Sequence, residues 1–292
     1  MTHDSQHDQI ALLAYHLWEQ RGNPYGSPET DWYDAESLLK AYSKSPEWVR
    51  FVSQEPNFVG AVSDGLDCIV QLAQEAPQTN PEKLIGMLTG TLAADLYDVL
   101  FLCENDRLDG ALRLLRSPYE KFLYAHFIAA HPETANDFEQ FDVHQSYLLR
   151  LDLEKFNKIP ISDDIRTVLE EAAKVARDKF KKSKCPECGE TSERRWTKVT
   201  PQEMMEAAKV ERLHTFAYRL STLMIHPSIR GLDTQMKGII SLPAISVIVF
   251  QLIWETLKLQ WTSFRKTSTA TGRTADVMRK IIEASRVSEA KS

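Results

Sequence analysis

An arginine and a histidine whose types suit metal-independent RNA cleavage lie near the end of a predicted helix. The stretch Arg219-Leu-Ser-Thr-Leu-Met-Ile-His226 is followed at once by Pro227. Seven positions are nearly two helical turns, so both side chains are expected on one face. Pro227 disfavours helical geometry at His226, which places this histidine at the negative end of the helix dipole. The arginine can hold a phosphate and the histidine can move a proton, although the same pair is also compatible with ordinary helix residues.

A second charged pair lies in an apolar run upstream. Arg116 and Glu120 are one turn apart on a common helix face, and Leu115, Tyr119 and Leu123 around them predict partial burial. A buried ion pair is costly unless other groups satisfy it. Two interpretations stay open: a salt bridge within the helix, or a polar site shared with Arg219 or His226. The second interpretation predicts that the two helices are neighbours.

The motif Cys185-Pro-Glu-Cys188-Gly is half of a zinc-ribbon signature. Zinc takes four ligands and this motif supplies two, so a second chain or a histidine would have to complete the site. A structural zinc, a redox dithiol and a simple turn remain alternatives. Cys68 and Cys103 lie within predicted helices and are expected to be small core residues.

Basic residues surround this cysteine motif and are interleaved with one aromatic residue. Arg194 and Arg195 directly precede Trp196, and Lys198 follows it. Positive charge beside an aromatic ring is compatible with binding a nucleic-acid backbone. Acidic residues in the same stretch favour a solvated surface as the alternative.

Composition indicates an ordinary globular protein. The chain has 292 residues, a net charge of −6, 43% hydrophobic and 26% charged residues, and these values argue against a protein that coats nucleic acid through bulk positive charge. The most apolar stretch, Ile239–Trp254, is interrupted by polar residues and predicts a buried helix, not a membrane span. The N-terminus has no apolar signal region. We therefore expect a cytoplasmic protein with no membrane partner.

The chain is predicted to be all-α, because glycine and proline fall between helical runs and alternating β-branched runs are almost absent. The expected organisation is an N-terminal helical hairpin (1–45), a helical bundle (46–268) with a Cys-x-x-Cys loop insert (184–200), and a tail (269–292). Longer helices are predicted over 58–76, 81–104, 107–131, 133–157, 162–183, 201–226 and 234–265. Phosphate-loop, His-Glu-x-x-His and Gly-x-Ser-x-Gly motifs are absent, which excludes the ATPase, metalloprotease and hydrolase classes that depend on them.

The first forty residues resemble a small bacterial module of unknown function found at protein termini. The pattern covers roughly residues 8–40 and includes Ile10, Ala14-Tyr15, Trp18-Glu19, Arg21-Gly22, Pro24, Gly26, Asp31-Trp32 and Ala35-Glu36. The resemblance implies a helical hairpin held by aromatic residues. Trp18 and Trp32 would form its core and Gly22 its left-handed cap.

Residues 60–265 resemble an uncharacterised bacterial all-α family allied to the HEPN superfamily (higher eukaryote and prokaryote nucleotide-binding). Its pattern here is an arginine–glutamate pair on one helix and, far downstream, the residues Trp196, Tyr218, Arg219, Ser221 and His226. The resemblance implies a compact bundle, commonly a homodimer, in which Arg219 and His226 match the Arg-x(4–6)-His motif of ribonuclease members. Leu220 departs from that motif, because active members carry Asn, Asp or His directly after the arginine.

The resulting hypothesis is a HEPN-like protein that binds or cleaves RNA, with a role in stress or phage defence. His226 would move the proton of the 2′-hydroxyl or of the leaving oxygen, and Arg219 would stabilise the charged phosphorane. Arg116 and Glu120 would position them, and Tyr218 and Ser221 would add hydrogen bonds. No cofactor is expected for the chemistry. The alternative is a non-enzymatic helical module that binds a partner.

Overall fold

The computed structural model describes residues 3–22, 28–42, 44–158, 160, 162–180, 183–184, 191–192, 196–225, 241–264 and 274–280. These residues are almost entirely helical, which confirms the all-α prediction. The helices are α1 (His3–Gln20), α2 (Pro28–Tyr42), α3 (Pro46–Gln54), α4 (Pro56–Gln74), α5 (Asn80–Glu104), α6 (Leu108–Leu114), α7 (Arg116–Ala130), α8 (Ala135–Asn157), α9 (Asp163–Lys179), α10 (Pro201–Ala208), α11 (Glu211–Leu213), α12 (Ser221–Ile225) and α13 (Leu242–Phe264).

Several shorter features complete the described chain. A π-helical segment, His214–Leu220, joins α11 to α12 without a break and is called the π segment below. A 3₁₀ turn, Pro132–Thr134, precedes α8. Two short strands, β1 (Ser183–Lys184) and β2 (Thr191–Ser192), pair antiparallel, and residues 274–280 are helical.

The N-terminal helices pack on each other as a hairpin, as predicted. Ile10, Ala14 and Ala35 form its buried centre, and Trp32 packs against them. Gly22 follows α1 with φ +83° and donates its N–H to the Glu19 carbonyl at 3.0 Å, which is the predicted left-handed cap. The second tryptophan assigned to this core, Trp18, instead contacts the Tyr15 ring at 5.7 Å.

The main core lies where α4, α5, α7 and α13 pack together. On α5, Leu92, Leu96, Val99 and Cys103 follow the helical period, so that one face of this helix is fully buried. Burial, followed by the negative charge of the neighbouring Glu104, raises the pKa of the Cys103 thiol to about 12. Cys68 is also buried, and its thiol donates to Thr274 Oγ1 at 3.6 Å, so both cysteines are the predicted core residues.

Two helices, α5 and α13, are long and apolar enough to cross a membrane by length and composition. The core helices of soluble proteins share these properties, and roughly half of each apolar stretch is buried inside the bundle. A polar link joins them in the interior: the Gln260 amide donates to Thr89 Oγ1 at 2.8 Å and to the Ile69 carbonyl at 3.1 Å. The helix predicted to be buried around Ile239–Trp254 corresponds to α13 in its described part.

Two predicted helices are each divided in the structure. The helix predicted over 107–131 is split into α6 and α7, because Pro118 has no N–H to donate to the Leu114 carbonyl and sits in the first turn of α7. The helix predicted over 201–226 is interrupted at Lys209, which has a left-handed φ of 58° and ends α10.

Local capping signals begin two helices of the bundle. Ser45 Oγ accepts the Trp48 N–H at 3.1 Å and thereby starts α3, a helix that the sequence analysis missed between two apparent breaks. Thr200 and Glu203 form a reciprocal capping box that starts α10. This capping box sets where α10 begins.

Candidate functional site

The predicted pair of Arg116 and Glu120 forms at the start of α7. Arg116 Nε donates to Glu120 Oε1 at 2.9 Å, and each side chain keeps about a quarter of its surface exposed, 28% and 27%. Arg116 Nη1 also approaches Thr222 Oγ1 at 3.4 Å. The two predicted helices are therefore neighbours, and Arg116 joins them.

The π segment contributes an aromatic stack to this contact. The guanidinium carbon of Arg116 lies 4.8 Å from the centre of the Tyr218 ring. The Tyr218 ring also stacks on the ring of His214, with centres 4.8 Å apart and an interplanar angle of 17°. His214 Nδ1 shares a hydrogen bond of 3.1 Å with the hydroxyl of buried Tyr119. Arg116, Tyr218, His214 and Tyr119 thus form one contiguous group.

The surroundings of His214 favour its neutral form. Burial first, and then the positive charge of Arg219, lower the pKa of His214 below its ordinary value. A neutral ring whose Nδ1 lacks a proton can accept a hydrogen bond from the Tyr119 hydroxyl, and it avoids a second cation beside Tyr218. The sequence analysis did not identify His214. The sequence feature that could have identified it is the spacing of four residues between His214, Tyr218 and Thr222, because this spacing places the three side chains on the same side of the helix, the side that contacts α7.

Arg219 does not line the cavity beside the Arg116–Glu120 pair. Its side chain is exposed, and the wall of the nearby cavity includes Tyr218 but not Arg219. The shared face with His226 was predicted for a regular α-helix, whereas residues up to Leu220 follow the wider π-helical turn. His226 lies outside the described residues. Of the predicted centre, the structure brings Arg116 and Glu120 together and adds Tyr218 to them; the part assigned to His226 stays a prediction.

A cavity of about 270 Å³ opens beside the Arg116–Glu120 pair. Four aromatic rings line it, those of Tyr124, Phe141, Trp196 and Tyr218. The remaining wall is formed by Thr197, Val199, Pro201 and Met204. The cavity thus combines flat apolar faces with a guanidinium donor and a carboxylate acceptor.

Trp196 holds the Cys-containing insert against the bundle. The residue is only 8% exposed. Its ring packs edge to face against three others, with ring centres 5.1 Å from Phe138, 5.5 Å from Tyr124 and 5.6 Å from Phe127. The sequence analysis assigned Trp196 to a basic stretch that either binds a nucleic-acid backbone or is a solvated surface, whereas the structure places it in the core and in the cavity wall. Arg194 and Arg195, assigned to the same surface, lie outside the described residues.

Ser221 is a structural residue and not a binding residue. Its side chain is fully buried, and its hydroxyl donates to the Ala217 carbonyl at 2.6 Å. A hydroxyl bonded back to its own helix has no donor left for a ligand. The hydrogen-bonding role expected for Ser221 is therefore corrected, and Thr222 takes the place next to Arg116.

The predicted metal ligands Cys185 and Cys188 lie outside the described residues. The pairing of Lys184 with Thr191 brings together the two ends of the segment that contains them. Within the described part of the chain, no three His, Cys, Asp or Glu side chains cluster as metal ligands would. A zinc site at the two cysteines stays a prediction.

Comparison with known proteins identifies two regions. Residues 5–41 match the protein of unknown function DUF2934, which covers the N-terminal module recognised over residues 8–40. Neither the curated proteins nor the solved structures contain a significant match. Residues 89–238, slightly more than half of the chain, match the family of unknown function DUF5677, and they include α7, the insert and the π segment. The chain therefore belongs to the DUF5677 family.

Proposed function

We propose that this protein is a HEPN-like RNA-binding protein whose 270 Å³ cavity accepts one unstacked base of a single-stranded RNA. The observation that carries the proposal is an aromatic-walled cavity with an arginine–glutamate pair at its side. Sequence-specific proteins recognise RNA mainly in single strands, whose bases stack on aromatic side chains and offer their edges for hydrogen bonds.

The side chains of the cavity match both parts of a base. The rings of Tyr218, Trp196, Tyr124 and Phe141 line the cavity, and a base that enters it would pack against them. Glu120 accepts hydrogen bonds and Arg116 donates them, so that a base edge with both a donor and an acceptor can pair with the two residues together. This arrangement supports recognition of the base over attraction of the phosphate backbone, in keeping with a net charge of −6.

Binding can be tested with a fluorescent single-stranded RNA and fluorescence anisotropy in EDTA. Tyr218→Leu should weaken binding roughly 5- to 150-fold, the range for the loss of one base–aromatic stack. Tyr33→Leu, a matched change at an exposed residue of the hairpin, should leave the affinity unchanged. The same titration with double-stranded RNA should show weaker binding. Equal affinity for double-stranded and single-stranded RNA, or no effect of Tyr218→Leu, would refute the proposal.

RNA cleavage is a second candidate activity. Arg219 directly follows Tyr218 and its side chain is exposed, so a strand whose base contacts Tyr218 has a cation close to its backbone. Cleavage would use Arg219 and His226 as described from the sequence and would leave a 2′,3′-cyclic phosphate. The test is incubation of labelled RNA in EDTA with the wild type, with His226→Ala, and with His131→Ala as the control.

Loss of cleavage in His226→Ala alone would support the enzyme. If the wild type binds RNA and does not cleave it, the protein is a binding module. If it neither binds nor cleaves RNA, the alternative from the sequence analysis, a helical interaction module for another partner, takes its place.

We also propose a cytoplasmic homodimer in which a second copy covers the hairpin of α8 and α9. Five large apolar side chains are exposed there: Leu148, Leu149, Phe156, Ile165 and Val168. The charges around them are complementary between helices, because exposed bases at the C-terminal part of α8 (Arg150 and Lys155) and just after it (Lys158) can face exposed acids on α9 of the other copy (Asp163, Asp164, Glu170 and Glu171). Self-complementary surfaces of this kind suit a twofold dimer.

A further inference from the structure

A second cavity, of about 460 Å³, opens between α3, α4, α5 and α13. It shares no lining residue with the cavity beside Arg116. Its volume is in the range of small-molecule sites. Five aromatic residues line it: Trp48, Phe51, Phe58, Tyr97 and Phe101.

The aromatic wall is packed on one side and open on the other. The ring centre of Phe51 lies 6.0 Å from that of Trp48 and 5.8 Å from that of Phe58. The Phe58 ring stacks on the Phe250 ring, with centres 5.2 Å apart. Phe101, by contrast, is 62% exposed. The cavity therefore has a preformed inner wall and an apolar rim that remains in contact with solvent.

An unused polar group lies in this apolar wall. Ser246 on α13 lines the cavity and is only 3% exposed. Other helical hydroxyls, such as those of Ser221 and Thr262, donate to a carbonyl of their own helix. Among the described residues, the Ser246 hydroxyl has no hydrogen-bond partner of this kind. The Ser246 hydroxyl oxygen is not fully enclosed by protein and lines the cavity, so water or a ligand there can form a hydrogen bond with it.

The charged groups that line the cavity are all negative. Glu104 is paired with Lys44 at 3.2 Å, whereas Asp98 forms no ion pair within the described part of the chain. Tyr97 donates its hydroxyl to Asp67 at 2.7 Å. A carboxylate next to exposed aromatic faces attracts a cation both by charge and by the quadrupole of the rings.

We propose that this cavity binds a small organic cation: an alkylated ammonium joined to an aromatic body that carries a hydroxyl or carbonyl group. The ammonium would lie near Asp98 and the exposed ring of Phe101. The aromatic body would fill the space beside Phe51 and Phe58, and its polar group would pair with Ser246.

Three probes of nearly equal shape separate these contributions in isothermal titration calorimetry with the full chain. They are N,N,N-trimethyltyramine, its analogue without the hydroxyl (phenethyltrimethylammonium), and its neutral isostere 4-(3,3-dimethylbutyl)phenol. The first should bind most tightly. Removing the positive charge should weaken binding roughly 2- to 30-fold. Removing the hydroxyl should weaken it roughly 2- to 12-fold.

The variants assign each preference to a residue. Asp98→Asn should reduce the preference for the cation over its neutral isostere, and Ser246→Ala should abolish the preference for the hydroxyl. Asp142→Asn, a matched change at an exposed residue of α8, should alter neither ratio. Circular dichroism checks that each variant is folded. No binding at millimolar concentration, equal affinity for all three probes, or ratios that the variants leave unchanged would overturn the proposal.

Discussion

Arg116 on α7 contacts the ring of Tyr218 on the π segment, with the guanidinium carbon 4.8 Å from the ring centre. The same guanidinium bonds Glu120, so one side chain joins an ion pair to an aromatic stack. This contact links two helices that are far apart in sequence. Changes at Glu120 are therefore expected to affect both the packing of these helices and the adjacent cavity.

Glu120→Ala should lower the free energy of unfolding by about 1 kcal/mol, measured by urea denaturation. Full burial of the pair would predict a loss of a few kcal/mol, but both side chains remain about a quarter exposed, and solvent partly screens the charge that is left. Glu171→Ala, at an exposed position of α9, is the control and should change stability little. A double-mutant cycle between Arg116 and Glu120 that gives no coupling would contradict this prediction.

Trp196→Ala should destabilise the protein by about 3–5 kcal/mol, the usual cost of removing a large buried aromatic side chain. The reason is its edge-to-face contact with Tyr124, Phe127 and Phe138. Tyr33→Ala, at a residue that is 67% exposed, provides the comparison in the same thermal and urea unfolding experiments. A loss below about 1 kcal/mol would show that Trp196 does not anchor the insert.

The sequence predicted the helices, the cysteines in the core and the Arg116–Glu120 pair, because each depends on local spacing. It did not predict the partners of that pair. The assignment to Arg219 assumed regular α-helical geometry, and the π segment instead turns Tyr218 toward α7. Trp196 was misjudged for a different reason: its sequence neighbours are charged, whereas its burial depends on rings from α7 and α8 that only the tertiary fold brings together.

The proposed dimer gives a test of the α8–α9 surface. The wild type should sediment as a dimer at micromolar concentration, and the double variant Leu149→Glu and Phe156→Glu should sediment as a monomer. These two residues lie seven positions apart on one exposed face of α8, so the added charges would be buried in the interface. Met87→Glu, at an exposed apolar residue of α5, should remain dimeric. A monomeric wild type would exclude the dimer.

Metal analysis tests the zinc prediction. Protein purified without chelator should contain about half an equivalent of zinc per chain if two copies share one site, because each chain supplies Cys185 and Cys188 and zinc takes four ligands. Cys185→Ser should remove the metal. A zinc content below about a quarter of an equivalent per chain in the wild type would show that Cys185 and Cys188 do not form a zinc site.

The lowered pKa of His214 predicts that the stability of the protein depends on pH. Because burial and Arg219 lower the pKa of His214 in the folded protein, the unfolded chain takes up this proton at a higher pH than the folded chain does. Stability should therefore fall as the pH drops below the ordinary histidine pKa of about 6.5, and level off only below the lowered folded value. His214→Gln should reduce the difference in unfolding free energy between about pH 7.5 and 5.5, even though the loss of ring stacking lowers stability at both. Burial also lowers the pKa of His126. Because His126 is present in both proteins, its contribution to the pH dependence cancels in the comparison. His16→Gln, at an exposed residue of α1, is the control for replacing a histidine by glutamine, and an unchanged slope in His214→Gln would show that His214 is not the group that titrates.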